Sequence, residues 1–201
     1  MSRSSSRRGF TIVELMMALA ILAIGVSGIV AMQKVMVTSN QHAKDLALAT
    51  HIAQAWVEQL AVDATKWNHP SQRSTVRDIT TDTTWLTKVE DQQNVWLRPA
   101  YDAVLQFGPS FDALGNVVSD ANVAQARFCT HIRLNWLYPD TSGNGLIRAE
   151  VRVFWLRDGA GGGLTNDAIC DPKNNAVAIG QAFDRYHFVY QSTAIKQETA
   201  L

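Results

Sequence analysis

Residues 7–32, RRGFTIVELMMALAILAIGVSGIVAM, decide the fold. Two arginines open this stretch, and the apolar run behind them contains a single acid, Glu14. From Leu15 to Met32 the chain has no charged residue, and those 18 residues reach the lower length limit for a helix that crosses a membrane. The stretch predicts an apolar N-terminal helix, so the presence of the Glu14 carboxylate in it has to be explained.

Two other interpretations of such a run are a buried helix of a soluble domain and a secretory signal peptide. A buried helix rarely stands at the N-terminus behind an arginine-rich tail. A signal peptide ends at a small-residue cleavage site, and Ala18-Leu19-Ala20 matches that site but lies inside the run. The three arginines among the first eight residues predict a cytoplasmic N-terminus and an exported C-terminal part.

The charge of the chain is unevenly distributed. The 201 residues have a formal net charge of zero, but the first nine hold three arginines and no acid. The remainder therefore carries 15 basic and 18 acidic residues, a net charge of about −3. This mildly acidic balance argues against a nucleic-acid-binding surface, so no nucleic acid is expected as a partner.

The motif Gly9-Phe10-Thr11-Ile12-Val13-Glu14, between a basic leader and an apolar helix, resembles the class III signal of type IV prepilins. The resemblance implies that prepilin peptidase cuts between Gly9 and Phe10, removes the cytoplasmic leader 1–9 and leaves Phe10 to be N-methylated. The apolar run then stays in the inner membrane as the mature N-terminus. The C-terminal domain lies in the periplasm and later in the pilus at the cell surface.

The resemblance also gives Glu14 a role. An ionised carboxylate at the bilayer centre costs about 2.5–3.5 kcal/mol on insertion scales, so such a group usually has a partner. In the pilin family this glutamate pairs with the terminal amine of a neighbouring subunit during assembly. The alternative is that Glu14 reaches the lipid headgroups from its place near the membrane edge.

The helix is predicted to run from Phe10 to about Val62, roughly 80 Å, because no proline precedes Pro70. Its part 10–32 is the transmembrane or filament-core half, and its part 33–62 is amphipathic. The expected polar positions of the second half include Asp45. Its expected apolar face repeats at spacings of three and four residues and consists of Leu46, Ala49, Ala53, Trp56 and Leu60.

The rest of the chain predicts an α+β fold, a long N-terminal helix packed on an antiparallel sheet, which matches the pilin fold. Residues 63–125 are expected to be a variable connecting region with a short helix within 82–92 and irregular chain over 94–115. Residues 126–201 are expected to form the sheet and a disulfide-bounded C-terminal loop. The predicted strands are Phe128–Trp136 and Ile147–Trp155, joined as a hairpin with one buried face, and Tyr186–Tyr190.

Cys129 and Cys170 are the two cysteines of the chain. An oxidising periplasm favours a disulfide between them, although free thiols are the alternative. The loop between them has 40 residues, for which chain entropy gives roughly 4 kcal/mol of stabilisation. In many pilins such a bond ties the C-terminal loop to the sheet.

Signals of catalysis are weak. The glycine-rich stretch 159–163 lacks the Lys-Ser/Thr ending of a phosphate-binding loop, and the five histidines are scattered. The turn 140–145 begins like a calcium loop, but Val151 stands where a bidentate glutamate is required. The sequence thus predicts no enzyme, no catalytic residue, no metal site and no cofactor.

A second resemblance concerns the type of pilin. The stretch 20–25, the pattern of small and apolar residues over 43–60 and the strand 151–155 are similar to minor pilins of the PilV type. Ala31 stands where many major pilins have proline.

The PilV resemblance implies a low-copy subunit of a tip or priming complex with other minor pilins, the major pilin and a tip adhesin. Such a complex promotes filament assembly, adhesion and twitching motility. The alternatives are a type II secretion pseudopilin, a signal-anchored periplasmic enzyme and a competence pilin that handles DNA.

Overall fold

The computed structural model describes residues 9, 11–68, 79–139, 145–157 and 169–197. The chain divides into two compact units, 1–44 and 45–201. The described elements are helix α1 (Ile12–Asn68), helices α2 (Ile79–Asp82) and α3 (Lys88–Asp91), strands β1 (Ser110–Phe111) and β2 (Val117–Val118), a 3₁₀ helix (Asp120–Gln125), strands β3 (Phe128–Tyr138) and β4 (Leu146–Leu156), helix α4 (Ala176–Gln181) and strand β5 (Tyr186–Lys196).

Helix α1 has 57 residues and extends past the predicted end at about Val62. The prediction stopped too early because the buried face continues through Asp63, Ala64 and Trp67. The helix ends immediately before His69-Pro70 in the sequence. Proline disfavours helical backbone in the residue before it, which explains an end at this point.

In unit 45–201, the buried face of α1 differs from the predicted stripe at its first turn. Leu46 was expected in the core but is 45% exposed, whereas Asp45 was expected outside it and is 5% exposed. Ala49, Ala53 and Trp56 are buried as predicted. The apolar period alone misplaced the first turn because Asp45 is buried by an ion pair rather than by apolar packing.

The sheet has five antiparallel strands in the order β2-β1-β3-β4-β5. The predicted hairpin is confirmed as β3–β4, with Ile132 opposite Val151 and Leu134 opposite Ala149. Strand β5 continues to Lys196, well beyond its predicted end at Tyr190. Its second half is polar because it lies at an edge of the sheet, where many of its side chains stay partly exposed.

The core lies between the second half of α1 and one face of the sheet. Trp56 is fully buried, and its ring is 5.4 Å from that of Trp85 and 4.8 Å from that of Phe107. The sheet contributes alternate residues of β3 and β4, which is the period of two that a packed strand face requires. They are Ile132, Leu134, Ile147, Ala149, Val151 and Val153.

The prediction of a single buried face was wrong. On the other face of the sheet, Cys129, His131, Arg152 and Phe154 are also buried. That face is covered because the Cys129–Cys170 bond and α4 bring the segment 169–181 against it, and Arg152 donates a hydrogen bond to the carbonyl of Ala176. The fold is therefore α+β as predicted, with a third layer over part of the sheet.

The region between helix and sheet also differs from the prediction. The short helix expected within 82–92 is present as the four-residue α3, and a second four-residue helix, α2, which was not predicted, precedes it. The Asp63 carboxylate lies between them and accepts hydrogen bonds from three consecutive backbone N–H groups, those of Thr84, Trp85 and Leu86. Strand β1 occupies part of the stretch expected to be irregular, because it pairs with both β2 and β3.

Candidate processing and assembly surface

The predicted cleavage site lies before α1. Gly9 is exposed and outside any helix or strand, and Phe10 lies outside the described residues. A Cβ added to Gly9 would meet nothing within 4 Å, and the backbone there is not left-handed. The described part of the chain therefore sets no requirement for glycine at this position.

Glu14 lies in the first turn of α1. Its backbone N–H donates to the Thr11 hydroxyl oxygen at 3.3 Å. Its side chain is exposed, and within the described part of the chain its carboxylate has no hydrogen bond or ion pair. This carboxylate is thus open to a partner from another molecule.

An apolar surface covers the first half of α1. Every described side chain from 11 to 44 is exposed in the unit 1–44. By length and composition, α1 is the one helix of the described residues that is able to cross a membrane. A helix that is apolar on all sides belongs in a membrane or inside an assembly, because water disfavours such a surface.

The small residues of this half do not serve packing within the chain. A Cβ on Gly25 or Gly28 would meet nothing within 4 Å, apart from the backbone of the helix itself. The Ser27 hydroxyl donates a hydrogen bond to the carbonyl of Ile24 at 2.8 Å, so its polar group is paired within the helix. Glycines in an apolar helix allow another helix to approach closely, so this stretch suits contact with a second subunit.

The comparisons with known proteins agree with this N-terminus. Residues 4–30 match the family model described as the prokaryotic N-terminal methylation motif. The chain carries the N-terminal signal of a type IV pilin-like protein. No curated protein and no solved structure matches it significantly.

The class III signal implies that the pilin-like protein is processed by prepilin peptidase and assembles with other pilins. Together with the apolar helix it fits a membrane-anchored pilin. Proteins of this kind are generally structural rather than enzymatic. Within the described residues no three His, Cys, Asp or Glu side chains come together as metal ligands would.

The pilin-like protein joins its C-terminal part to the sheet by a disulfide. Cys129 at the start of β3 is bonded to Cys170, with the two Cα atoms 5.1 Å apart, and both residues are buried. Arg98 reinforces this junction, because its Nε donates to the carbonyl of Cys170 at 2.8 Å and its Nη2 pairs with Asp120. The bond thereby links β3, the connecting region and the segment after 169.

Two acids of α1 have structural roles that the sequence analysis missed. Asp45 forms an ion pair with Arg127, with Oδ2 and Nη2 2.6 Å apart. Asp63 also contacts Lys66, with Oδ1 and Nζ 3.3 Å apart, besides the N–H groups between α2 and α3. Both acids are polar residues at core-facing positions of the helix. That position was the signal that could have predicted a buried partner for each of them, because a polar side chain is buried only with partners.

A buried polar cluster covers the outer face of the sheet. Arg152 is 2% exposed and donates from Nη2 to His131 Nδ1 at 2.9 Å. Its guanidinium lies over the Trp96 ring at 4.5 Å from the ring centre, and that of Arg133 lies at 4.7 Å. Burial lowers the pKa of Arg152, and nearby Arg133 lowers it further. The cation–π contact with Trp96 offsets part of the free-energy cost of burying the charge of Arg152.

His131 is neutral in this cluster. Burial is the main cause that lowers its pKa from 6.5 to about 3, and the charges of Arg152 and Arg98 add to the effect. Arginine only donates hydrogen bonds, so His131 Nδ1 is the acceptor and carries no proton. The five histidines are scattered along the sequence, and no pattern in it predicts this contact.

Proposed function

We propose that the chain is a minor type IV pilin of the PilV type, a low-copy subunit of a complex at the pilus tip. In this proposal the complex primes assembly of the major pilin and carries an adhesin, and its outputs are adhesion and twitching motility. The observation that carries the proposal is the methylation motif at 4–30, which extends into a helix whose side chains are all exposed as far as residue 44.

The processing steps are part of the proposal. Prepilin peptidase removes residues 1–9 by cutting between Gly9 and Phe10, and Phe10 is methylated. The open space at Gly9 supports this, because the fold does not need glycine there. The exposed carboxylate of Glu14 is proposed to pair with the terminal amine of a neighbouring subunit, which neutralises two charges in the apolar interior of the filament.

Each segment then has a proposed task. Residues 10–32 anchor the subunit in the inner membrane and later pack in the filament core. Residues 33–62 connect this anchor to the domain, and 63–125 shape the exposed surface. Residues 126–201 form the sheet and the disulfide-bounded region, which faces the periplasm before assembly and the cell surface afterwards.

The close competitor is a type II secretion pseudopilin, which shares the processing motif. We would analyse the N-terminal peptide by mass spectrometry in sheared surface filaments and in membranes of the same cells. The proposal predicts a peptide that begins at methylated Phe10 in the filaments. The same peptide in membranes, together with its absence from filaments that contain other minor pilins, would favour the pseudopilin. An intact leader in both fractions would contradict both functions.

A further inference from the structure

The two edges of the sheet differ in how they are protected. Beside β3 lie the two-residue strands β1 and β2 and a bridge between Leu97 and Ile132, so that edge is short and covered. The other edge is β5, a strand of 11 residues. Proteins usually protect such an edge with charges, prolines or a bulge. From Tyr186 to Ile195, β5 contains no Asp, Glu, Lys, Arg or Pro, so it lacks the protection that such residues give.

The hydrogen bonds at both ends of β5 show which of its backbone groups face outward. The Arg157 N–H donates to the Arg185 carbonyl, and the Gln197 N–H donates to the Gly145 carbonyl. Hydrogen-bonded pairs of an antiparallel ladder recur at every second residue, so the odd-numbered residues of β5 pair with β4. The N–H and C=O groups of the even-numbered residues therefore point away from β4.

Four outward-facing residues in the middle of β5 have open backbone groups. The N–H and C=O groups of Phe188, Tyr190, Ser192 and Ala194 have no hydrogen-bond partner among the described residues. The last three of these residues are also exposed. Extended segments of other proteins add to sheet edges through such groups. This edge thus offers the donors and acceptors that one more strand requires.

We propose that β5 binds an extended, acidic segment of another protein, which adds to the sheet as an antiparallel strand. The segment carries a carboxylate beside Ala194 and an aromatic or apolar residue beside Tyr190, four positions later in its own sequence. This inference does not depend on the proposed function, because it concerns the unit 45–201 alone.

The carboxylate is assigned by Arg148, which lies opposite Ala194 on β4. The Nε of Arg148 is buried and has no hydrogen-bond partner among the described residues, and its Nη2 is 3.7 Å from Glu150, too far for a hydrogen bond. Glu150 instead contacts Arg133, with Oε2 and Nε 2.5 Å apart. Ala194 has only a methyl group, so it does not separate Arg148 from a strand added beyond it. The exposed Lys196 lies on the same face, and this end of the edge therefore favours an acid.

The aromatic or apolar residue is assigned by the side chains further along the edge. Tyr190 is 54% exposed, and its ring is stacked on that of Phe188 with 5.9 Å between the ring centres. The Trp96 ring meets Tyr190 edge-on at 6.0 Å. Aromatic and β-branched side chains on neighbouring strands stabilise a sheet when they lie opposite such a ring. An added strand gains this contact beside Tyr190.

A second copy of this chain fits the edge less well than an acidic segment. Two β5 strands paired antiparallel would bring together two stretches that both lack acids between Tyr186 and Ile195. Neither copy would then supply a carboxylate to the unpaired Nε of Arg148. The charge of this edge thus favours a different protein as the partner.

The test titrates the full chain in detergent with a fluorescein-labelled synthetic peptide, TEVTVYTS, and follows fluorescence anisotropy against empty micelles. Its glutamate and tyrosine have the proposed spacing, and we expect saturable binding. Arg148→Ala should bind this peptide about fivefold more weakly, because an ion pair is lost. The same variant should bind a peptide with glutamine in place of the glutamate as well as the parental chain does. An equal loss for both peptides would contradict the assigned carboxylate.

Two N-methylated peptides distinguish strand addition from non-specific adhesion. N-methylation at the fourth and sixth residues removes N–H groups that face β5, and we expect it to weaken binding at least tenfold. N-methylation at the third and fifth residues removes N–H groups that face away, and binding should not change. Equal binding of the two peptides would overturn the proposal.

The variant Ser192→Pro blocks the edge from the side of this chain. Its missing N–H points outward, so no hydrogen bond to β4 is lost, and proline is tolerated at such edge positions. We expect a parental urea midpoint and at least tenfold weaker peptide binding. If this variant does not fold, the N-methylated peptides decide the question, because they are tested on the parental chain.

Amide hydrogen exchange of the parental chain identifies what occupies the edge. The amides of Phe188, Tyr190, Ser192 and Ala194 should exchange fast in the free chain and slowly with the peptide bound. Slow exchange in the free monomer would show that the edge is already paired within the chain. Slow exchange that appears only as the chain self-associates would show that a second copy occupies it. Either result would overturn the proposal, as would the absence of saturable binding.

Discussion

The two halves of helix α1 differ in how many of their side chains are buried within this protein. In the unit 1–44, α1 presents apolar side chains on every side from Leu15 to Met32, and all described side chains of this unit are exposed. In the unit 45–201, the same helix is amphipathic and buries one face against the sheet. The second half completes its core within the chain, whereas the first half needs lipid or other subunits.

The six tryptophans make this comparison measurable. All of them lie between 56 and 155, so tryptophan fluorescence reports on the unit 45–201 alone. A substitution in the second half should change the unfolding seen by fluorescence. A substitution in the first half should leave that signal unchanged and affect membrane insertion or assembly.

The largest expected effect comes from removal of the disulfide. Replacing Cys129 and Cys170 by serine should lower the free energy of unfolding of the unit 45–201 by about 4 kcal/mol, because the bond closes a long loop. Urea unfolding of the full chain in detergent, followed by tryptophan fluorescence, measures this. Membrane insertion should not change. A variant that also lost insertion would show that the two halves depend on each other.

The sharpest test compares two leucines of the same helix. Leu60 is fully buried and Leu22 is 60% exposed. Leu60→Ala should lower the free energy of unfolding by about 3 kcal/mol, the usual value for a truncated core leucine. Leu22→Ala is the matched control and should have almost no effect in the same urea experiment, although it should reduce incorporation into filaments. Equal effects of both substitutions would contradict the comparison.

A smaller effect should appear in acid. The folded-state pKa of His131 is about 3 and its ordinary value is 6.5, so between these values the unfolded chain binds more protons. Its contribution to stability is complete above pH 6.5 and is lost as the pH falls towards 3. Between pH 7 and pH 5 the expected loss is about 2 kcal/mol.

Variant His131→Gln is the control for the acid effect. Glutamine keeps an acceptor for Arg152 but does not titrate, so the slope of stability between pH 7 and pH 5 should become flatter by about the amount lost in the parent. Urea midpoints at several pH values provide the measurement. A slope identical to the parental one would show that other groups cause the acid sensitivity.

The smallest expected effect concerns the ion pair at the start of the second half. Asp45 and Arg127 should show a coupling energy of about 1 kcal/mol in a double-mutant cycle, because Asp45 is buried and Arg127 only partly so. The cycle uses Asp45→Ala, Arg127→Ala and both together, measured by urea unfolding. If the two single effects add up to the effect of the double variant, the ion pair contributes no coupling energy and each side chain acts only through its own packing.

The sequence predicted the parts of the fold that have a clear period. The apolar run and the spacing of Ala49, Ala53 and Trp56 predicted α1, and the alternation in β3 and β4 predicted the hairpin. The resemblance at Gly9–Glu14 is supported by the methylation-motif model. The roles of Gly9, Phe10 and Glu14 remain predictions.

The parts that the sequence did not predict depend on distant partners. Asp45 is buried because Arg127 meets it, and Asp63 is buried because three N–H groups about 20 residues later face it. Strands β1 and β2 have two residues each, too short for any period to be recognised. The second buried face could be predicted only from the Cys129–Cys170 pairing and from the position of the segment after 169 on the sheet.

The Asp63 carboxylate also ties the connecting region to α1 over a short stretch of chain. The N–H groups of 84–86 point to a single acceptor, and that acceptor has its position only once α1 is helical around Asp63. This contact spans 21 to 23 residues, whereas the disulfide spans 41. Loops that close over fewer residues cost less entropy. The connecting region is therefore tied to α1 through a shorter loop than the one that the disulfide closes, at an entropic cost lower by about 0.6 kcal/mol.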